Sequence, residues 1–440
     1  MSLVVKGGRI IDPAAGVDLV GDVLIENGVV SSVGECVETP PGAELLDATG
    51  LIVCPGFIDV HCHLRVPGEE HKETMASGTA SAAAGGFTTV CAMPNTRPPV
   101  DRAEIVELVL NRARAEAVVR VLPIACVTRG RAGSALVDIE EVARAGAVAL
   151  SDDGSPVGDE EVMREALEKA GYLGLLVIDH CEDSEISAGG VMNSGDVADS
   201  LGFQGWPARA EEDMIARNAA LAEATGGRVH MAHVTTVGGV EHMRRAKARG
   251  APVTAEVTPH HLTITEEWVR AKSGSYGPYD TNAKVNPPLR TQKDADALVA
   301  ALAEGIIDCV ATDHAPHSAA DKDCTFEEAA FGISGLEVAL GSLMSLVHDG
   351  RLELPTLIER LTAAPARVLG RPDLCAGTLR PGSPADVTIF DPNAEWVVRA
   401  DRMVSAGRNT PLDGVTLKGR VAATLVAGRV VYRSEEARLG

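Results

Sequence analysis

The sequence is short of several features, and each shortage removes a class of protein. Charged residues break its apolar runs before the ~18 consecutive positions that a membrane-spanning helix needs, although hydrophobic residues make up 45% of the 440. Nor is there a basic block. Lysine and arginine total 40 against 62 acidic residues, for a formal net charge of −22, so nucleic acid is not an expected partner. The nine cysteines, at 36, 54, 62, 91, 126, 181, 309, 324 and 375, are odd in number and include no C-x-x-C pair. That excludes a disulfide framework or a structural zinc knuckle and points to reduced thiols. The first residues, 1–11, alternate like a strand and do not follow the basic, apolar and cleavable order of a secretory signal. A cytoplasmic protein is expected, without a membrane partner. An anionic small substrate stays open only if metal ions and one or two placed cations reverse the field inside a cleft.

What is there is a regular alternation of apolar β-type runs with amphipathic stretches, the pattern of repeated βα units. Eight strands are predicted at 55–63, 87–94, 119–128, 147–152, 174–180, 228–233, 252–258 and 308–313. Eight such units predict a closed (β/α)8 barrel of the TIM type, an α/β fold of about 250 residues that the chain length accommodates with a smaller domain to spare. Helices are expected over 159–169, with Val162, Ala166, Leu167 and Ala170 on one stripe, and over 211–225. Short strands punctuated by Gly and Asp-Pro turns recur at both ends, at 3–5, 23–26 and 29–33 and again at 386–390, 420–426 and 429–432. Residues 1–54 and 368–440 are therefore expected to form one β-sandwich around the barrel at 55–367. The stretch 261–306 is long for a connection and is expected to carry active-site loops.

The chemistry collects at the strand ends. Alternate side chains on a strand share a face, so His61 and His63 point together while Cys62 points away. Asp153, His180, His233 and Asp313 fall at or one residue past the ends of strands four, five, six and eight, where barrel enzymes build their sites. Imidazoles and carboxylates on one rim suit Zn²⁺ and similar ions, and two ions about 4 Å apart need a bridging anion. His61, His63 and Asp313 are assigned to one ion and His180 and His233 to the other, with Asp153 and a hydroxide shared; a one-residue slip would put Asp152 in the bridge. His230 alternates away from His233, and Cys62 and Cys181 read as buried inert thiols.

Several runs carry a resemblance. Asp59-Val60-His61-Cys62-His63-Leu64-Arg65, Glu70-His71-Lys72-Glu73-Thr74, Met93-Pro94-Asn95-Thr96, Asn286-Pro287-Pro288-Leu289-Arg290, Ala311-Thr312-Asp313-His314-Ala315-Pro316-His317 and Phe331-Gly332-Ile333-Ser334-Gly335-Leu336-Glu337 resemble those of dihydroorotases of the long, bacterial class I type, in the amidohydrolase superfamily. Strand four ends Leu150-Ser151-Asp152-Asp153-Gly154, without the carbamylated lysine of many relatives, and Asp153 fits the class I pattern. Val66 stands where the family usually has an acidic residue. The resemblance implies zinc-dependent, reversible interconversion of dihydroorotate and N-carbamoyl-L-aspartate in pyrimidine synthesis. Asp313 would act as ligand and proton carrier, and Arg65, Asn95 and His317 would receive the substrate carboxylate. Asn286 and Gly335 would meet the ring's amide edge. His260, His261 and His314 are expected to support or pack, and the loop 315–335 to close over substrate. A homodimer and an association with aspartate carbamoyltransferase also come with the resemblance. The rival readings are a hydantoinase or allantoinase sharing the metal rim, and a silent homologue kept as a structural partner of the carbamoyltransferase.

Overall fold

The computed structural model describes residues 2–270 and 279–435. Residue 1, part of the expected loop region (271–278) and the tail of the expected C-terminal sandwich segment (436–440) lie outside the described residues. Eight parallel strands follow one another around a barrel in chain order: Phe57–Cys62, Phe87–Ala92, Arg120–Ala125, Ala149–Leu150, Leu176–Asp179, Val229–Met231, Val253–Val257 and Cys309–Val310. Each lies inside its predicted range and is shorter than predicted. The last strand returns to the first through hydrogen bonds from the Asp313 N–H to the His61 carbonyl (3.0 Å) and from the His63 N–H to the His314 carbonyl (2.8 Å). The strands are buried along nearly their whole length, as expected for a parallel sheet covered by helices. One hydrophobic cluster draws Ile58, Cys91, Ile124, Ala149, Ile178 and Cys309 from six strands and is closed by Ala364, Val368 and Leu369. The barrel is therefore a packed core, and the site is confined to its rim.

Local sequence explains the helices between the strands. Asp159 caps Glu160–Tyr172 by accepting from the Glu161 and Val162 N–H groups, and Met163, Ala166, Leu167 and Ala170 form its buried stripe. The spacing i, i+3, i+4, i+7 thus runs from Met163, and Val162, one residue earlier, is only partly buried. The helix expected over 211–225 is Arg209–Thr225. Thr74 and Ser77 close a reciprocal capping box on Met75–Ala84.

The two chain ends share one eight-stranded sheet. Ile52–Pro55 is the link: it pairs in parallel with Ser2–Asp12 and antiparallel with Val387–Val397. Leu3, Ile10, Val23 and Ile25 from the N-terminal part and Val387, Ile389 and Leu425 from the C-terminal part bury one another in a separate core. The tip of the hairpin Val17–Glu26 and Val29–Gly34 reaches across the molecule, where Val30 donates to Ser383 O (2.9 Å) and Gly382 donates to Val30 O (2.8 Å). Its turn, Asn27-Gly28, has positive φ at both positions (53° and 85°), which is why an Asn-Gly pair stands there.

Candidate metal centre and its surroundings

His61 lies within the first strand, while His63, Asp153, His180, His233 and Asp313 sit one to three residues past the ends of theirs. The chain leaves the ladder abruptly at two of them, since His233 and Asp313 hold φ of 33° and 44°, and Arg65 holds 60°. Left-handed backbone at a side chain with a Cβ costs energy and persists only where the surroundings impose it, as they do at functional rims.

All six side chains converge and are almost completely buried. The ligand atoms of His61, His63 and Asp313 form one group within 4.8 Å of one another, and those of His61, Asp153 and His233 form a second. His63 Nε2 lies 3.0 Å from Asp313 Oδ1. Asp153 is central: its oxygens are 3.5 Å from His61 Nε2, His63 Nε2 and His180 Nδ1, and 3.7 Å from His233 Nε2. Asp152 turns away from the cluster, its carboxylate accepting from the Val127 and Thr128 N–H groups and the Thr128 hydroxyl.

Tautomers follow from what lies behind each ring. Glu256, fully buried on the seventh strand, can only accept, so His61 donates from Nδ1 (2.6 Å to Oε1) and Nε2 faces the centre. His180 donates from Nε2 to Glu182 Oε2 (2.7 Å), so its Nδ1 faces inward. Asn95 Oδ1 accepts from His63 Nδ1 (2.8 Å) while its amide donates to Asp153 Oδ2 (3.2 Å). The inward nitrogens of His180 and His233 are 3.0 Å apart, and His61 Nε2 is buried with no hydrogen-bond partner. Two inward imidazole nitrogens in contact and an orphaned buried nitrogen are what a divalent cation resolves, so the donor set fits a metal.

The electrostatics agree. Burial pushes the Asp153 and Asp313 carboxyls up, but the surrounding imidazoles outweigh it and hold both well below the usual range. Burial pulls His180 down, yet Asp153 and Glu182 raise it to about 10, and the carboxylates around His61 likewise raise it well above the ordinary value. Without a metal these rings hold protons that a cation must displace.

Beside the cluster stands a cationic shelf. Arg65 is buried, its Nε donates to Pro316 O (3.1 Å), and its Nη2 is 3.2 Å from His317 Nε2. Burial, with Arg65 nearby, depresses His317 to about 3, so the ring is neutral. Val66 packs into the main core, and the acidic neighbour of Arg65 is Glu69, 4.0 Å away. Asn95 engages the ligands themselves. Asn286 donates to Glu182 Oε2 (2.9 Å) and keeps a buried Oδ1 without a partner, open to a donor. The Gly335 N–H donates to His314 Nδ1 (3.1 Å) inside the protein. Cys62 and Cys181 are buried, and burial raises both thiols well above their ordinary value. A mouth of roughly 530 Å³ opens between Arg131, Glu182, Asn286 and Phe331.

Sequence reasoning missed the carboxylates behind the rings. Glu256 also accepts from His230 Nε2 (3.0 Å), so the histidine set aside as facing away shares an acceptor with a candidate ligand. Asp59 accepts from the Thr312 N–H (2.9 Å) and hydroxyl (2.5 Å), fastening the last strand to the first. Glu256 is an odd charge in the apolar run 252–258, and that was the one signal available. Burial depresses His260 to about 4, and its Nε2 is buried without a partner.

A parallel barrel with a histidine-carboxylate cluster on its rim defines a hydrolase of the amidohydrolase class. Residues 208–432 match the model described as amidohydrolase family, and 50–238 match dihydro-orotase-like. Among solved structures, an L-hydantoinase (dihydropyrimidinase) from Arthrobacter aurescens superposes with a TM-score of 0.87 at 26% identity, covering 99% of this chain and 97% of that one. A dihydropyrimidinase from Brevibacillus agri, at 23% identity and TM-score 0.85 over 100% and 96%, shares the fold. The chain is 48% identical over 433 residues to a dihydroorotase of Geobacter metallireducens (98% of this chain, 100% of the relative) and 50% identical over 435 residues to one of Anaeromyxobacter dehalogenans (99% of each). The chain belongs to the dihydroorotase family.

Proposed function

We propose that the chain catalyses the reversible hydrolysis of the cyclic amide of (S)-dihydroorotate to N-carbamoyl-L-aspartate, with two zinc ions held by His61, His63, Asp153, His180, His233 and Asp313. The observation that carries the substrate assignment is the buried Arg65 beside His317, on the same rim as the cluster. A buried guanidinium fork matches a carboxylate, which dihydroorotate has and hydantoin lacks. Bound zinc supplies a nucleophile from water at neutral pH and polarises the amide carbonyl.

The protein's own groups do the rest. Arg65 holds the substrate carboxylate, with neutral His317 beside it, and so fixes the face of the ring that meets the cluster. Asp313 is ionised and 3.0 Å from His63 Nε2; at the strand end it can take a proton from the attacking water and return it to the departing nitrogen. Asn286 presents its unpartnered Oδ1 to the ring amide N–H. Glu256, Glu182 and Asn95 hold the three rings in the tautomers that binding requires.

Side-by-side assays on dihydroorotate, hydantoin and allantoin, with metal analysis, test this reading; turnover of the last two alone would end it. The convergence of all six candidate ligands favours an enzyme over a silent homologue. The proposal extends to a cytoplasmic homodimer and an association with aspartate carbamoyltransferase, tested by sedimentation and co-purification.

A further inference from the structure

Two lysines away from the cluster are buried almost as deeply as its ligands: Lys284 is 2% exposed and Lys322 is 6% exposed. Among the described residues neither forms an ion pair with a carboxylate. Burying an ammonium is costly unless its protons are satisfied, and here they are satisfied by backbone. Lys322 Nζ donates to Thr281 O (3.0 Å), Lys284 O (3.2 Å) and Ala330 O (2.6 Å), using all three of its protons. Lys284 Nζ donates to Glu327 O (2.9 Å) and lies 4.4 Å from the centre of the Phe331 ring, a cation-π contact. Two further bonds tie the same segments: Gly332 N–H to Lys284 O (2.9 Å) and the Thr281 hydroxyl to Lys322 O (2.7 Å).

These bonds join two stretches that are far apart in sequence and both reach the substrate pocket. One runs from Thr281 to Asn286. The other runs from His317 to Gly332, and within it the Phe331 carbonyl accepts from His317 Nε2 (2.9 Å). Phe331 and Asn286 both line the mouth. A loop as long as 315–335 with little secondary structure of its own needs such ties to keep one conformation.

We propose that Lys322 and Lys284 are positioning residues for substrate binding: they clamp the 281–286 and 317–332 segments together and so hold His317 and Asn286 at the pocket wall. The inference rests on the dihydroorotase reading, in which those two side chains meet substrate. Burial, with Lys284 close by, brings Lys322 down to about 7, opposed by Asp280, Cys324 and Asp321. Neither lysine touches the metal ligands, so the clamp acts on affinity for substrate and leaves the cluster intact.

Lys322→Met keeps the aliphatic stem and removes the ammonium, and Lys284→Met does the same for its partner. In Lys322→Met the KM for dihydroorotate is expected to rise about tenfold or more while kcat falls less than about threefold. Zinc content should stay at the wild-type level, and amide hydrogen exchange across 317–332 should accelerate. A merely structural lysine would lower thermal stability with KM unchanged in the folded fraction. Unchanged KM, unchanged exchange, or a fall confined to kcat each overturns the proposal. If Lys322→Met does not fold, Lys284→Met is judged by the same criteria. Wild-type enzyme silent towards dihydroorotate would refute the functional reading instead, and the clamp would then be judged on exchange alone, which needs no substrate.

Discussion

Replacing Glu256 should weaken zinc binding without touching a ligand. Its Oε1 accepts from His61 Nδ1 at 2.6 Å in a fully buried setting, a charge-assisted hydrogen bond of the kind worth roughly 1.5–3 kcal/mol. At about 1.4 kcal/mol per decade this amounts to an affinity loss of about 10–100-fold, the range typical when a carboxylate behind a metal-bound imidazole is removed. Glu256→Gln keeps an acceptor for His61 and, once His230 moves its proton to the nitrogen that faces the Thr254 hydroxyl (2.7 Å), an acceptor for its own amide as well. The glutamine variant therefore belongs at the lower end of the range, and Glu256→Leu, which strands both rings, at the upper end. The assay is competition for zinc against a chromogenic chelator, with folding checked by circular dichroism. His230→Phe is the control: it removes the other partner of the same carboxylate and should leave the zinc Kd within about threefold of wild type. Wild-type affinity in both Glu256 variants, or an equal loss in His230→Phe, would refute the claim that Glu256 acts by orienting His61.

Asp313→Asn should lower kcat by about a thousandfold, because an amide cannot shuttle the proton, and a near-normal rate would remove its assigned role. Arg65→Lys replaces a fork with a point charge and is expected to raise KM for dihydroorotate about 10–100-fold, with zinc content unchanged by elemental analysis. Chelation should abolish turnover and added Zn²⁺ should restore it. The metal-free chain should release protons on binding zinc at pH 8: His180, raised to about 10, is charged there and must become neutral to ligate. The sign follows, in that zinc affinity rises with pH as pH approaches 10 from below, and pH-independent affinity between 7 and 9 would contradict it.

Much of this architecture was legible in the sequence because it is written in local patterns. Barrel strands are short apolar runs whose neighbours are their neighbours in sequence, so a tally of βα units led to the (β/α)8 barrel. Ligands at C-terminal strand ends could be read as one set because a closed barrel puts all those ends on one rim. The cationic shelf was legible through resemblance alone, since Arg65 and His317 are 252 positions apart. Tertiary structure alone decided the rest. It turned Asp153 toward the cluster and Asp152 away from it, because adjacent residues on a turning strand face opposite ways and only coordinates fix which way. It joined the two chain ends through Ile52–Pro55, a pairing between residues more than 300 positions apart that no local signal encodes. It also brought Glu256 behind His61 and turned two lysines onto backbone carbonyls that join residues 281–286 to 317–332. Such contacts are specified by packing, and a buried charge in a sequence looks like any other until its partner is placed beside it.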